Sequence, residues 1–110
     1  MSELIYKICP AQVWAEAETK QQFDGYGIDL VDGYIHFSTA KQVQRTADLH
    51  FTGQKDLVLV AVDPSGLAVV WEESRGGQLF PHLYAALPLA SVQQVSAIAL
   101  DENDRHLIVL

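Results

Sequence analysis

The sequence predicts an α+β domain, and three features of the chain point there. Apolar runs of strand length recur through the second half, each bounded by Gly, Pro or Asp turns. Helical periodicity is confined to two stretches in the first half. Strands and helices therefore lack the regular alternation that a doubly wound parallel sheet requires. At 110 residues, with no repeat, linker or shift in composition, residues 1–110 form one domain.

Leu4-Ile5-Tyr6-Lys7-Ile8 is a short β-like run that stops at Pro10. Proline suits the first position of a helix because its missing N–H is not needed there. Val13, Trp14 and Ala17 then fall on one helical face. Residues 20–33, with three glycines and scattered Asp, read as a long loop, and such loops in small domains often cover a site. Residues 34–38 read as a strand that runs into a second helix. Thr39 and Gln42 fit a capping box at its start, Val43, Ala47 and Phe51 supply a buried stripe, and Gly53 ends it. Residues 57–62 are continuously apolar, as in a central strand buried on both faces. Asp63-Pro64-Ser65-Gly66 is a turn leading to residues 67–71, expected to complete a hairpin. After the Ser74-Arg75-Gly76-Gly77 loop comes a strand at 79–84, in which Pro81 argues for an edge position. Residues 95–100 and 107–110 form a closing hairpin across 101–104.

Charge and composition exclude several functions. Seven Lys+Arg against 14 Asp+Glu give a net charge of −7. Sequence-independent nucleic-acid binding needs a basic cluster to displace counterions, so no nucleic acid is expected. An anionic membrane surface is disfavoured on the same ground. A small phosphate stays open, since one Arg or a helix N-terminus suffices for it. The single cysteine, Cys9, makes no internal disulfide and begins no multi-thiolate zinc site. The longest apolar run, Leu57 to Val62, is far short of the ~20 residues of a spanning helix. Met1-Ser2-Glu3-Leu4 lacks the basic start and apolar stretch of a signal peptide, so a cytoplasmic location is expected.

Chemistry concentrates at a few polar residues embedded in strand sequence. His36 and Ser38, two apart, share one face, at a strand end beside a helix N-terminus hospitable to an anion or a polarised hydroxyl. The same spacing equally suits a hydrogen-bonded core histidine and a turn serine. Glu72 follows Val69-Val70-Trp71, where a carboxylate orients a sugar hydroxyl or acts as a base, and a Trp wall would raise its pKa by desolvation. On spacing alone, Glu72 and Glu73 read more simply as solvated loop residues. His82 and Tyr84 share a face after Pro81, as a polar site or as a buried hydrogen-bonded pair. His36, His82 and Glu72 would suffice for a metal, though nothing in their spacing demands one. No phosphate loop, His-Glu-x-x-His or Gly-x-Ser-x-Gly is present.

Asp32-Gly33-Tyr34-Ile35-His36-Phe37-Ser38-Thr39, Val70-Trp71-Glu72 and Phe80-Pro81-His82-Leu83-Tyr84 occur in this order in a chain that opens with Ile5-Tyr6-Lys7-Ile8 and Trp14. Together they resemble the small bacterial family called domain of unknown function 952, over most of the chain. Ala85 stands where that family usually has Gly, and Tyr34 replaces a more usual Phe. The resemblance implies an ADP-ribosyltransferase-like fold, with split β-sheets and two helices in the N-terminal half. It also implies a nucleotide cleft in which His36 anchors a ribose or phosphate, with Ser38 and Thr39 beside it. Glu72 or His82 would then act near the reacting carbon, with Tyr84 on the same face as His82. Arg45 and Arg75 are the arginines placed to grip a diphosphate.

Two functions of different class follow. One is a ribosyl transferase or glycohydrolase acting on NAD or a related compound, a small-molecule ligand, with Glu72 stabilising an oxocarbenium-like state. The other is a non-catalytic module holding a small ligand or a protein in the same cleft. A third reading, two His-x-Ser/Thr motifs of a phosphoesterase, fits His36-Phe37-Ser38 but meets a phenol at Tyr84.

Overall fold

A computed structural model of the chain describes residues 3–110, with the Arg75 side chain outside the described residues. Its elements run β1 (Ile5–Pro10), α1 (Ala11–Lys20), β2 (Gln22–Phe23), α2 (Ile28–Asp32), β3 (Ile35–His36), α3 (Val43–His50), β4 (Leu57–Val62), β5 (Val69–Glu73), β6 (Leu79–Leu83), β7 (Leu87–Pro88), β8 (Val92–Leu100) and β9 (His106–Leu107). The architecture is α+β, as expected, and every strand pairing is antiparallel.

The wholly apolar β4 is buried at all six positions, as expected of a central strand, and lies between β1 and β8 in a sheet of order β1-β4-β8-β9. Its alternating side chains serve two cores. Val58, Val60 and Val62 pack with Ile5, Cys9, Trp14, Ala17, Phe23 and Leu83 on one face. Leu57 and Leu59 pack with Ile8, Val43, Ala47 and Ile98 on the other. Helices α1 and α3 thus cover opposite faces of the same sheet. At the start of α3 the Gln42 half of the capping box forms, Thr39 N–H donating to Gln42 Oε1 at 3.0 Å.

The hairpin expected between 57–62 and 67–71 does not form. Asp63 still shapes a turn, accepting from Ser65 N–H at 2.9 Å. Both edges of β4 are occupied by β1 and β8, so the turn sends β5 to a second sheet of order β3-β6-β5. There β6 is central, which corrects the edge position argued from Pro81. Phe37 N–H donates to Pro81 O, and in an antiparallel ladder a residue's N and O face the same neighbour. The missing N–H of Pro81 therefore faces the β3 side, where β3 has already ended, and no bond to β5 is lost.

Residues 20–33 hold more structure than a loop. β2 pairs with β7, and α2 is a third helix where two helices were expected. Among the residues of α2 only Asp29 is buried, while Ile28, Leu30 and Val31 are exposed, so the segment lacks the apolar stripe that marks a helix. The chain enters and leaves it through Gly27 (φ 61°) and Gly33 (φ 83°). The closing hairpin forms as β8 and β9, with Asp101 Oδ1 accepting from the N–H groups of Asn103 and Arg105. No helix among the described residues is long and apolar enough to cross a membrane.

Candidate functional site

The two larger sheets meet where Tyr6 and Ser38 form an isolated bridge, Tyr6 N–H donating to Ser38 O at 2.8 Å and Ser38 N–H to Tyr6 O at 2.9 Å. A cavity of about 490 Å³ opens at this junction, within the ~300–1,000 Å³ usual for small-molecule sites. Strands β1, β3 and β6 line it with Tyr6, Lys7, His36, Phe80 and His82, Ser38 joins them just past β3, and the helical segments add Ile28, Asp32 and Thr46.

His36 and His82 face each other because β3 and β6 pair them in register. Their rings lie 5.2 Å apart, and the Tyr34 ring sits 4.5 Å from one and 4.4 Å from the other. The two imidazoles are held differently. His36 Nδ1 lies 2.7 Å from Asp29 Oδ1 and its Nε2 3.1 Å from Asp32 Oδ2, so each ring nitrogen faces a carboxylate. The His36 backbone is gripped as well, its N–H donating to Asp29 Oδ1 and its carbonyl accepting from Lys7 Nζ at 3.0 Å.

His82 is only 3% exposed. Its Nδ1 lies 2.7 Å from Glu72 Oε1, the same oxygen that accepts from Tyr84 O–H at 2.7 Å. An ionised carboxylate accepts only, so the shared proton sits on Nδ1. The other ring nitrogen, Nε2, is buried without a hydrogen-bond partner. Buried polar atoms are ordinarily satisfied; Trp14 Nε1 shares this state in the core, whereas His82 stands in the wall of a cavity where a water, an ion or a ligand can reach it as partner.

The electrostatics follow from these contacts. Hydrogen bonds from His82 and Tyr84 hold the Glu72 carboxyl below its ordinary range. The reading of a carboxyl raised by a Trp wall is thereby corrected: neighbours on a strand point to opposite faces, and Trp71 is half exposed on the other side. The Tyr84 phenol is pushed up to about 12, first by its hydrogen bond to Glu72. Burial pushes the Asp29 carboxyl up, yet the His36 hydrogen bond and the Lys7 ammonium, 2.6 Å away, bring it below the ordinary range. Burial in turn draws Lys7 down, against the pull of Asp29. Burial also pushes the Cys9 thiol up to about 11, which makes it core filler rather than a nucleophile.

Of the residues expected at the site, His36, Ser38 and His82 line the cavity. Ser38 Oγ lies 2.8 Å from Thr46 Oγ1. Glu72 and Tyr84 stand behind His82, and Thr39 serves the start of α3. Arg45 borders a separate hollow, and the Arg75 side chain lies outside the described residues. Sequence reasoning missed Lys7, Asp29, Asp32 and Thr46 and gave Tyr34 no role. A lone Lys between Ile5 and Cys9 in an apolar strand was the available signal. Among the described residues no group of three or more His, Cys, Asp or Glu is placed to hold a metal ion.

Fold and site together define the class: an antiparallel α+β domain with a cavity walled by two carboxylate-held imidazoles. The family model described as protein of unknown function, DUF952, matches residues 8–95, and the chain belongs to that family. The crystal structure of protein CC0527 from Caulobacter crescentus is similar, with 42% identity over 94% of this chain and 93% of that one and a TM-score of 0.90. The crystal structure of a double mutant of CC0527 is also 42% identical over 94% of this chain and 93% of that one, with a TM-score of 0.89. Its solution NMR structure is 44% identical over 94% of this chain and 90% of that one, with a TM-score of 0.81. No curated protein matches the chain.

Proposed function

We propose that the cavity binds a ribosyl compound of the nucleotide class, NAD or ADP-ribose among them, and that the chain breaks or transfers the bond at the anomeric carbon. The observation that carries this is His82: buried in the lining of the cavity, aligned by Glu72, with Nε2 unpartnered. Two divergent sheets meeting at the cavity suit the ADP-ribosyltransferase-like arrangement, although fold analogy supports binding more than chemistry.

The roles divide by position. Tyr6, Tyr26 and Phe80 give aromatic walls for a base, and Ser38 and Thr46 offer hydroxyls to a ribose. Asp32 is the carboxylate in the lining, so it faces the positive charge that develops as the leaving base departs with the bonding pair. His82 Nε2 accepts the proton of the attacking water or acceptor hydroxyl as its oxygen bonds to the anomeric carbon. Glu72 acts through His82 as a positioning residue. For NAD and water the products are nicotinamide, ADP-ribose and a proton.

The test is a titration of the labelled chain with NAD and ADP-ribose at millimolar concentration, followed by NMR, with nicotinamide release read in the same tube. Amide resonances of His36, Ser38 and His82 are expected to move together, and His82→Gln to abolish release. Stationary resonances contradict the proposal. The non-catalytic reading is favoured by His36, whose two nitrogens are both taken, leaving one unpartnered imidazole nitrogen in the pair. It predicts a ligand-dependent rise in Tm by mass action, lost in His36→Ala, with no product.

A further inference from the structure

The cavity carries little positive charge. Its cation, Lys7, is already paired with Asp29, Asp32 adds a second carboxylate, and Glu72 stands behind His82. A phosphate placed there meets three carboxylates against one ammonium, whereas an uncharged or cationic ring does not suffer from them. Phe80, however, borders two hollows. The second, of about 430 Å³, has Lys41 and Arg45 as its charged lining residues.

This second hollow lies between the start of α3 and β6. Gln42 ties the start of α3 to β6 beside Phe80, with Nε2 donating to Leu79 O at 2.9 Å and Oε1 accepting from Thr39 N–H. Lys41, next to Gln42, and Arg45, one helical turn further on, line the hollow. Gly76, at φ 63° with no heavy atom near the position of a Cβ, leaves the facing backbone open to close approach. Elsewhere Lys20 and Arg105 are spent on Asp24 and Asp48. In a chain of net charge −7, two cations at one hollow next to an acidic, aromatic one make a division of labour.

We infer that this hollow is a phosphate subsite, and that the ligand is bipartite: a base and ribose at His36 and His82, and a 5′-diphosphate at Lys41 and Arg45, with Phe80 between them. The inference rests on the ribosyl reading of the first cavity and names where the charge of its substrate goes. Arginine is suited to the role because its planar fork pairs phosphate oxygens bidentately.

The experiment titrates the full-length chain, and its Lys41→Ala/Arg45→Ala double variant, with inorganic pyrophosphate, adenosine and ADP, followed by amide NMR. Both substituted residues are exposed, and both side chains lie outside the cores. Pyrophosphate is expected to move resonances at 41–45 and 76–78, and adenosine those at His36 and His82. ADP is expected to bind about ten-fold or more tighter than adenosine, a gain that salt weakens and the double variant loses. Pyrophosphate that leaves 41–45 unmoved, or ADP no tighter than adenosine, overturns the subsite while leaving adenosine at His82 intact. Adenosine that leaves His82 unmoved while pyrophosphate moves 41–45 overturns the bipartite ligand through its ribosyl half.

Discussion

His36 and His82 stand opposite each other in register yet do different work. One ring is clamped between two carboxylates, while the other is clamped on one side and unpartnered on the other. Glu72 is the hinge of the second arrangement, and its influence is readable on Tyr84. In Glu72→Ala, which removes the acceptor as well as the charge, the Tyr84 phenol is expected to titrate below about 12, toward its ordinary value of about 10, as followed by ultraviolet absorbance of tyrosinate. An unchanged titration contradicts the contact. Asp29 performs the matching task behind His36, and it also neutralises a buried lysine. Asp29→Asn strands Lys7, and a broken buried pair costs about 3–5 kcal/mol, measurable by urea unfolding. The strand pattern made part of this legible: period two places His36 with Ser38, and His82 with Tyr84, on shared faces. It could not reveal Asp29 or Asp32, because a carboxylate in a glycine-rich stretch has no periodic neighbour to betray its direction.

At the scale of elements, burial was the legible quantity and pairing was not. Continuous apolar sequence identified β4 as a central strand, and Leu59→Ala is expected to cost about 2–5 kcal/mol in a urea titration, as buried leucines do. The partner of β4 was misread because a good turn after a strand specifies a reversal, not which sheet receives the chain. Pro81 misled for a related reason. It excludes a central position only where its missing N–H faces a continuing strand, and β3 ends too soon for that. Helix α2 was hidden because polar contacts of Asp29, rather than an apolar face, hold it. Its departure depends on Gly33 at φ 83°, where no atom obstructs a Cβ. Gly33→Ala is therefore expected to cost only the left-handed penalty, about 1–2 kcal/mol by urea unfolding.

The whole molecule is acidic, and several of its carboxyls are held below their ordinary range by native contacts, among them Asp29, Glu72 and Asp48. Below about pH 4 the unfolded chain takes up protons that the folded chain refuses. The stability these groups contribute is thus fully present above about pH 4 and is lost as pH falls through their folded values. Urea midpoints are expected to be lower at pH 3 than at pH 5. The α+β class followed from composition and element order, whereas the cavity arises where two sheets meet whose pairing no local pattern encodes. Its occupation is the claim on which function rests. Long-range ¹H–¹⁵N spectra of the imidazole nitrogens, recorded while ADP-ribose is added, address it most directly. A saturable shift at His82 Nε2, a resonance assigned by its disappearance in His82→Gln, is the result expected; an Nε2 resonance unmoved at millimolar ligand contradicts it.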